Sequence, residues 1–228
     1  MIIAEIGANF VGDVKLAQEL IKLAKENNAD LVKLQLYNVG QLKRTPETLK
    51  ILKEGEHSFD QAKVLFDYGE EIGIEVFFSV FDVEKVEWCE RIGVKRYKIA
   101  ARIDDIGILA AIAETKKPII ASVSPHYPRN KNWAQAFYNF DLLYCSSKYP
   151  SPLSSLGFEH IDFDFTYQGF SDHTIGLDAA KIALARGASI IEKHFAIDHH
   201  TGIDAEWSMT PDELKELKRW ELVCRDVL

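Results

Sequence analysis

A (β/α)8 TIM barrel, one closed ring of eight parallel strands with helices between them, is the fold class this sequence predicts. Three observations carry the prediction. Apolar runs of strand length alternate with stretches of helical periodicity along the whole chain. Runs such as Ile74 to Val80 and Phe140 to Leu143 are apolar almost without interruption, as parallel strands covered on both faces have to be. The polar exceptions fall at the C-terminal ends of the runs, where barrels of this class place their chemistry. A doubly wound open sheet is the alternative, but no GxGxxG follows the first strand.

Ile2 to Gly7 is the first strand, and Asp13 to Asn27 follows with Leu16, Leu20, Ile21 and Ala24 on one helical face and Asp13 placed to cap it. Asp30 to Leu36 is the second strand, with Lys33 and Gln35 on one face; a lysine inside a barrel needs a charge partner. Residues 37 to 57 read as a long polar loop of the kind that serves as a lid. Ser58 to Ile72 is a helix stopped by Gly73, Ile74 to Val80 the third strand, and Val83 to Ile92 a helix closed by Gly93. Lys95 to Ala101 is the fourth strand, with Lys98 inside it, before a helix from Asp105 to Glu114 and a fifth strand from Pro118 to Ser124.

Residues 125 to 139 are turn-rich, with one short helix expected around Trp133 to Tyr138. Phe140 to Ser146 is the sixth strand, Tyr149-Pro-Ser-Pro a rigid loop, and Ser154 to Ile161 a short helix. Thr166 to Ser171 is the seventh strand, Leu177 to Arg186 a helix ended by Gly187, and Ser189 to Phe195 the eighth strand. Pro211 to Val227 is a final amphipathic helix with proline in its first turn. No linker or break in composition divides the sequence, so residues 1–228 are expected to form a single barrel domain.

With 47% hydrophobic residues over 228 positions the chain can bury one large core. Its 35 acidic and 27 basic residues leave a formal charge of −8 without any long Lys/Arg run, which speaks against nucleic acid while leaving room for a local basic pocket. Cys89, Cys145 and Cys224 are odd in number and widely spaced, so neither a disulfide framework nor a thiolate zinc site is expected, and a reducing cytoplasmic setting is. The N-terminus has no signal-peptide pattern, and no apolar run is long enough to span a membrane.

The strand ends collect the chemistry. Ser171 and His173 share one face of their strand, Glu192 and His194 one face of the next, so adjacent strands bring two imidazoles to one point. Two neutral imidazoles with carboxylates nearby suit a divalent transition metal that keeps open positions, with Glu192 as a support for them; core histidines without a ligand are the plainer reading. Glu5 and Asn9 follow strand one; Ser122 and Ser124 end strand five, Ser146 and Ser147 strand six, and Lys193 stands in strand eight. Two inward lysines, Lys33 and Lys98, among several hydroxyls read as a cradle for a small phosphorylated anion, or alternatively as a Schiff-base site. His199 and His200 read as solvated loop residues, and His57, His126 and His160 have no pairing signal.

Six ordered stretches, Ala-Glu-Ile-Gly-x-Asn (4–9), Ala-Asp-Leu-Val-Lys-Leu-Gln (29–35), Tyr-Lys-Ile-Ala (97–100), Lys-Pro-Ile-Ile-x-Ser (117–122), Ser-Asp-His-Thr-Ile-Gly (171–176) and Glu-Lys-His-Phe (192–195), resemble the sialic acid synthase family from about residue 2 to 217. The resemblance implies a cytoplasmic enzyme that condenses phosphoenolpyruvate with the open-chain aldehyde of an amino sugar or other aldose, giving a nonulosonic acid and phosphate. It implies a divalent metal, manganese first and magnesium or cobalt as alternatives, on His173 and His194. It places phosphoenolpyruvate on Lys33, Lys98, Ser122 and Ser171, the acceptor on Asp204, and the strand-one glutamate at Glu5. Glu192 is counted with Glu5 and Asp204 as catalytic, and Gln35, Ser147 and Tyr149 with the substrate-binding residues.

The departures carry expectations too. Ala101-Arg102-Ile103-Asp104 stands where the family continues Ser-Gly-Glu or Ser-Gly-Asp, Ser79-Val80-Phe81-Asp82 where it has Ser-Thr-Pro-Phe-Asp, Asn9-Phe10 where it has Asn-His, and Gly202-Ile203-Asp204-Ala205 where it has Gly-Pro-Asp-His. Arg102 is expected to grip phosphate in place of the lost hydroxyls, or else to pair with Asp104 or Asp105. The sequence ends at Leu228 without a stretch like the family's antifreeze-like domain, so the expected partner is a second copy or a separate chain carrying that domain. Two other readings stand beside the synthase: a metal-dependent aldolase or lyase, and a non-catalytic sugar-phosphate-binding barrel.

Overall fold

Alternation along each strand decides what the barrel encloses. The computed structural model describes residues 1–42, 45–124, 137, 139–163 and 165–227. Eight strands pair in parallel and in sequence order: β1 (Ile2–Gly7), β2 (Leu31–Leu36), β3 (Glu75–Val80), β4 (Tyr97–Ile99), β5 (Ile119–Val123), β6 (Phe140–Cys145), β7 (Gly169–Asp172) and β8 (Ile190–His194). β8 pairs back onto β1 with Glu5 opposite His194, which closes the expected (β/α)8 barrel.

The inward residues fall into layers. Ile3, Leu31, Phe77, Ile120, Leu143 and Ile190 pack as an apolar plug at the N-terminal end of the barrel. Two residues further along the same strands come Glu5, Lys33, Ser79, Ser122, Cys145 and Glu192, all buried, with Lys98 and Ser171 joining from β4 and β7. The outward residues, Ala4, Ile6, Val32, Leu34, Val76 and Phe78 among them, pack against the helices in the larger core. Each such large side chain contributes roughly 1.5–3 kcal/mol on leaving water.

The helices α1 (Val14–Glu26), α3 (Phe59–Ile72), α4 (Val83–Ile92), α5 (Ile106–Glu114), α6 (Asp178–Ala185) and α7 (Pro211–Val227) lie where periodicity places them, with α2 (Pro46–Glu54) added between β2 and β3. Asp13, Ser58, Asp82 and Asp105 accept from first-turn amides, and Gly73 and Gly93 end α3 and α4 at φ +77 and +95, a conformation that disfavours a side chain.

Four local expectations are corrected. Residues 37–57 are not a loop: they hold a short 3-10 turn, Val39–Gln41, and α2, which Thr45 caps and Pro46 opens. The helix expected over Ser154–Ile161 is two 3-10 turns, Leu153–Ser155 and Phe158–His160, split by Gly157 at φ +63. β4 is three residues long rather than seven, and β7 begins at Gly169 rather than Thr166. The helix expected around Trp133–Tyr138, and with it His126, lies outside the described residues but for Phe137.

Asn9 locks the top of the barrel. Its Nδ2 donates to the Phe195 carbonyl (3.0 Å) and to Ser208 Oγ (2.9 Å), and its Oδ1 accepts from the Asp204 amide (2.8 Å). The loop after β8 is thereby held against the ends of β1 and β8, with Asp204 on the wall of the cavity there.

Candidate active site

The buried layer above the plug is a ring of charges that satisfy one another. Lys33 pairs with Glu5, donates to Ser79 Oγ at 2.7 Å and lies 3.9 Å from Glu192 Oε2. Lys98 donates to Ser122 Oγ at 2.7 Å and lies 3.5 Å from Glu192 Oε1, which also accepts from Ser171 Oγ at 2.9 Å. Gln35 Nε2 holds Glu5 Oε1 at 2.8 Å. Two ammonium groups and two carboxyls this deep are tolerable because each faces the opposite sign.

Their titration differs with surroundings. Burial raises the Glu5 pKa, with the Glu192 charge adding to it and Lys33 opposing. Burial also works against ionised Glu192, but Lys33, Lys98 and the Ser171 hydroxyl together hold its pKa below the ordinary value. Lys98 is lowered by burial against the pull of Glu192. The expected role of Glu192 as a support for the histidines is corrected here: its hydrogen bond and close ion pairs go to Ser171, Lys98 and Lys33.

One layer higher, His173 and His194 face each other with ring centroids 5.5 Å apart. The Nδ1 of His173 lies 3.0 Å from the Ser146 carbonyl, an acceptor, so Nδ1 carries the proton and Nε2 keeps its lone pair. The Tyr149 ring lies against the same imidazole, tilted by 48° with centroids 4.3 Å apart. Burial pushes His173 down to about 4, and burial with the neighbouring His173, Lys33 and Lys193 holds His194 well below its ordinary value, so both rings are neutral at neutral pH. His194 Nδ1 is buried without a hydrogen-bond partner among the described residues, 3.5 Å from Asp204 Oδ2. Burial and the Glu5 charge push Asp204 up to about 7 against the pull of Lys33.

Two neutral imidazoles, one with its tautomer fixed and the other with an orphaned nitrogen, are a donor set that fits a divalent transition metal completed by ligands from outside the protein. Among the described residues no group of three or more His, Cys, Asp or Glu is arranged to hold a metal ion by itself.

One cavity of about 290 Å³ at the C-terminal strand ends is lined by Glu5, Lys33, Gln35, Lys98, Arg102, Ser122, Tyr149, Ser171, His173, Glu192, His194 and Asp204. Ser147 alone among the expected site residues is not on its wall: its carbonyl accepts from Arg102 Nη2 at 3.1 Å, and its hydroxyl lies 3.8 Å from Cys145 Sγ. Arg102 turns into the cavity, with its guanidinium carbon 5.1 Å from the Tyr149 ring centroid, while Asp105 caps α5. Lys193 points out of the barrel to Asp172 Oδ2 (3.0 Å) and the Thr174 carbonyl (2.6 Å), away from the site.

Sequence reading missed Ser79 and Cys145, which counting two residues on from Phe77 and Leu143 would have found. It also missed Tyr37, Leu42, Thr48, Leu52 and Phe81, which reach the cavity around α2 and the end of β3. For these, the Thr45-Pro46 helix start was the available signal.

The NeuB family model matches residues 20–222. The chain is 31% identical to the N,N'-diacetyllegionaminic acid synthase of Legionella pneumophila, over 95% of this chain and 69% of that one. It is 31% identical to the N-acetylneuraminate-9-phosphate synthase of Homo sapiens, over 96% and 68%. The crystal structure of the N-acetylneuraminic acid synthetase of Leptospira borgpetersenii, solved with citrate, superposes with a TM-score of 0.92 at 30% identity, covering 99% of this chain and 84% of that one. With its barrel, its ordered strand-end motifs and these relatives in agreement, the chain belongs to the NeuB family, whose sialic, legionaminic and pseudaminic acid synthases are enzymes that make nonulosonic acids.

Proposed function

We propose that this barrel, residues 1–228, is a catalytic domain that condenses phosphoenolpyruvate with the open-chain aldehyde of an amino sugar, giving a nine-carbon 2-keto sugar acid and phosphate. The observation that supports it most directly is the layering of one cavity: a buried Lys33/Lys98 cradle below, two neutral imidazoles above, and Asp204 beside them with a raised pKa. In the reaction C3 of phosphoenolpyruvate bonds to the aldehyde carbon, the aldehyde oxygen takes up a proton, one water is consumed and phosphate leaves.

Lys33 and Lys98 receive the phosphate and carboxylate, with Ser122 and Ser171 as neutral contacts and Gln35 fixing Glu5. Arg102, steadied by the Ser147 carbonyl, adds a planar fork for phosphate. Asp204, half protonated near neutrality, is placed to give or take the proton at the acceptor oxygen, and Tyr149 offers the acceptor an aromatic face. Glu5, with its raised pKa, and Glu192 hold the charge balance as the substrate anion arrives. His173 and His194 would hold the divalent metal, manganese in the first instance, which when bound polarises an aldehyde oxygen as a Lewis acid.

Phosphate release from phosphoenolpyruvate, measured with a panel of aldoses and amino sugars and with manganese, magnesium or cobalt added, tests this reading. Release that needs both an aldose and a metal supports it, and phosphate released together with an equal amount of pyruvate, with or without an aldose, overturns it. One observation favours the Schiff-base alternative: burial lowers the pKa of Lys98, as a Schiff-base lysine requires. Borohydride trapping of pyruvate on Lys98 would establish that alternative, and no adduct is expected.

A further inference from the structure

We propose that the buried ion pair of Lys193 and Asp172, on the outer face of the barrel, positions the two-histidine site by tying the backbone that carries His173 to the strand that carries His194. This rests on the reading of those imidazoles as metal ligands. The two histidines are not held alike. His194 is the last residue of β8, opposite Glu5 of β1, and its carbonyl accepts from the Met209 amide at 2.7 Å. His173 lies one residue past the end of β7, beyond the last ladder pair, Asp172 opposite Lys193.

Lys193 closes that gap. Its Nζ donates to Asp172 Oδ2 at 3.0 Å and to the Thr174 carbonyl at 2.6 Å, so one ammonium holds the chain immediately before and immediately after His173. The other Asp172 oxygen accepts from the Thr174 amide at 2.8 Å, which draws the turn tight around the histidine. Alternation makes the arrangement possible: with His173 and His194 turned inward, ring centroids 5.5 Å apart, their neighbours Asp172 and Lys193 turn outward. Two residues earlier on the same strands, the outward positions hold Phe170 and Ile191 of the helix-facing core. An apolar pair would fill the place of Asp172 and Lys193 as well, and a fully buried ion pair adds little net stability over apolar residues of the same volume. What the charged pair supplies is direction. Its three hydrogen bonds fix the backbone from which the His173 ring projects, and fix it relative to β8.

The test is calorimetric titration with manganese, beside urea melts, of the wild-type chain, Asp172→Asn, Lys193→Met and the double variant Asp172→Leu/Lys193→Met. Each variant should bind manganese about 10- to 100-fold more weakly, the loss that follows when groups orienting metal ligands are removed. Affinity for phosphoenolpyruvate, measured without metal, should stay at the wild-type value, because Lys33 and Lys98 stand on β2 and β4. The single variants should unfold at lower urea, since each strands a buried charge, whereas the apolar pair should regain stability and keep the weak metal binding. Manganese affinity that returns with stability in the double variant, or that is unchanged in Lys193→Met, would show that the pair serves the fold alone and overturn the proposal. An equal loss of phosphoenolpyruvate affinity in every variant, the mark of a loosened barrel, would overturn it too. A wild-type chain that binds no manganese overturns the metal reading of the histidines, and the positioning role with it. Should Lys193→Met give no cooperative melt, the near-isosteric Asp172→Asn decides on the same terms.

Discussion

Replacing Lys98 by methionine separates what the buried cradle does for the fold from what it does for a substrate. The ammonium lies 3.5 Å from Glu192 Oε1 and donates to Ser122 Oγ at 2.7 Å, in a residue 2% exposed. At that distance opposite charges attract by about 5 kcal/mol at an effective dielectric constant of about 20. Stripping one partner from a buried pair costs roughly 3–5 kcal/mol. Methionine fills the space of the stem, so the loss is electrostatic rather than a cavity. Lys33 and Lys98 hold Glu192 below its ordinary pKa; without Lys98 its pKa rises, and a proton relieves part of the penalty at low pH. With Glu192 no longer held down by Lys98, the deficit of Lys98→Met in urea melts should be smaller at acid pH, where the stranded carboxyl takes up a proton, than at neutral pH. Adding Glu192→Gln removes the stranded charge and should restore most of that stability. Affinity for phosphoenolpyruvate should recover far less, because one charge-assisted contact, roughly 1.5–3 kcal/mol or about 10- to 150-fold, is still missing. Calorimetric titration of the wild type, both single variants and the double variant checks this, and wild-type affinity in Lys98→Met would refute the cradle.

Three further outcomes are expected. His173→Ala and His194→Ala should each abolish manganese binding in a direct metal titration, and unchanged affinity in either would remove that residue from the metal site. Arg102→Ala should raise the KM for phosphoenolpyruvate with little change for the sugar, and Arg102→Lys should restore it in part, since an ammonium lacks the planar fork; an unchanged KM would assign phosphate to the lysines alone. His57 stacks on Phe10 at 4.5 Å with both ring nitrogens unpartnered among the described residues, and burial pushes its pKa down to about 4. The unfolded chain therefore binds the extra proton first as pH falls from about 6.5 to 4, costing up to ~3 kcal/mol of stability. His57→Phe should make the fall in melting temperature over that window shallower, with the share of His173 and His194 remaining, and an unchanged acid slope would refute the assignment.

What was legible in the sequence follows from what each signal measures. Strand existence, strand order and barrel closure were readable because both-face burial leaves continuous apolar runs. The polar residues that break those runs, Glu5, Lys33, Lys98, Ser122, Ser171 and Glu192, prove to share one layer because alternation repeats in every strand. Strand length was less legible: β4 stops at Ile99, since apolar side chains such as Ala101 and Ile103 are buried outside any ladder. α2 was missed as a short helix none of whose residues is fully buried; its inner side faces the cavity through Thr48 and Leu52 rather than the core. The wall of the mouth was missed for the same reason. Lys193 stands between Glu192 and His194, and the alternation that puts those two on one face sends it out of the barrel to Asp172.

Carbon-13 spectroscopy of the product tests the condensation most directly. With phosphoenolpyruvate labelled at C3 and a 2-acetamido aldose labelled at C1, condensation predicts a new methylene signal split by one-bond carbon–carbon coupling to the former aldehyde carbon, growing in step with free phosphate and only when a divalent metal is present. Labelled pyruvate without that coupling, whether or not phosphate accompanies it, would contradict carbon–carbon bond formation in this cavity.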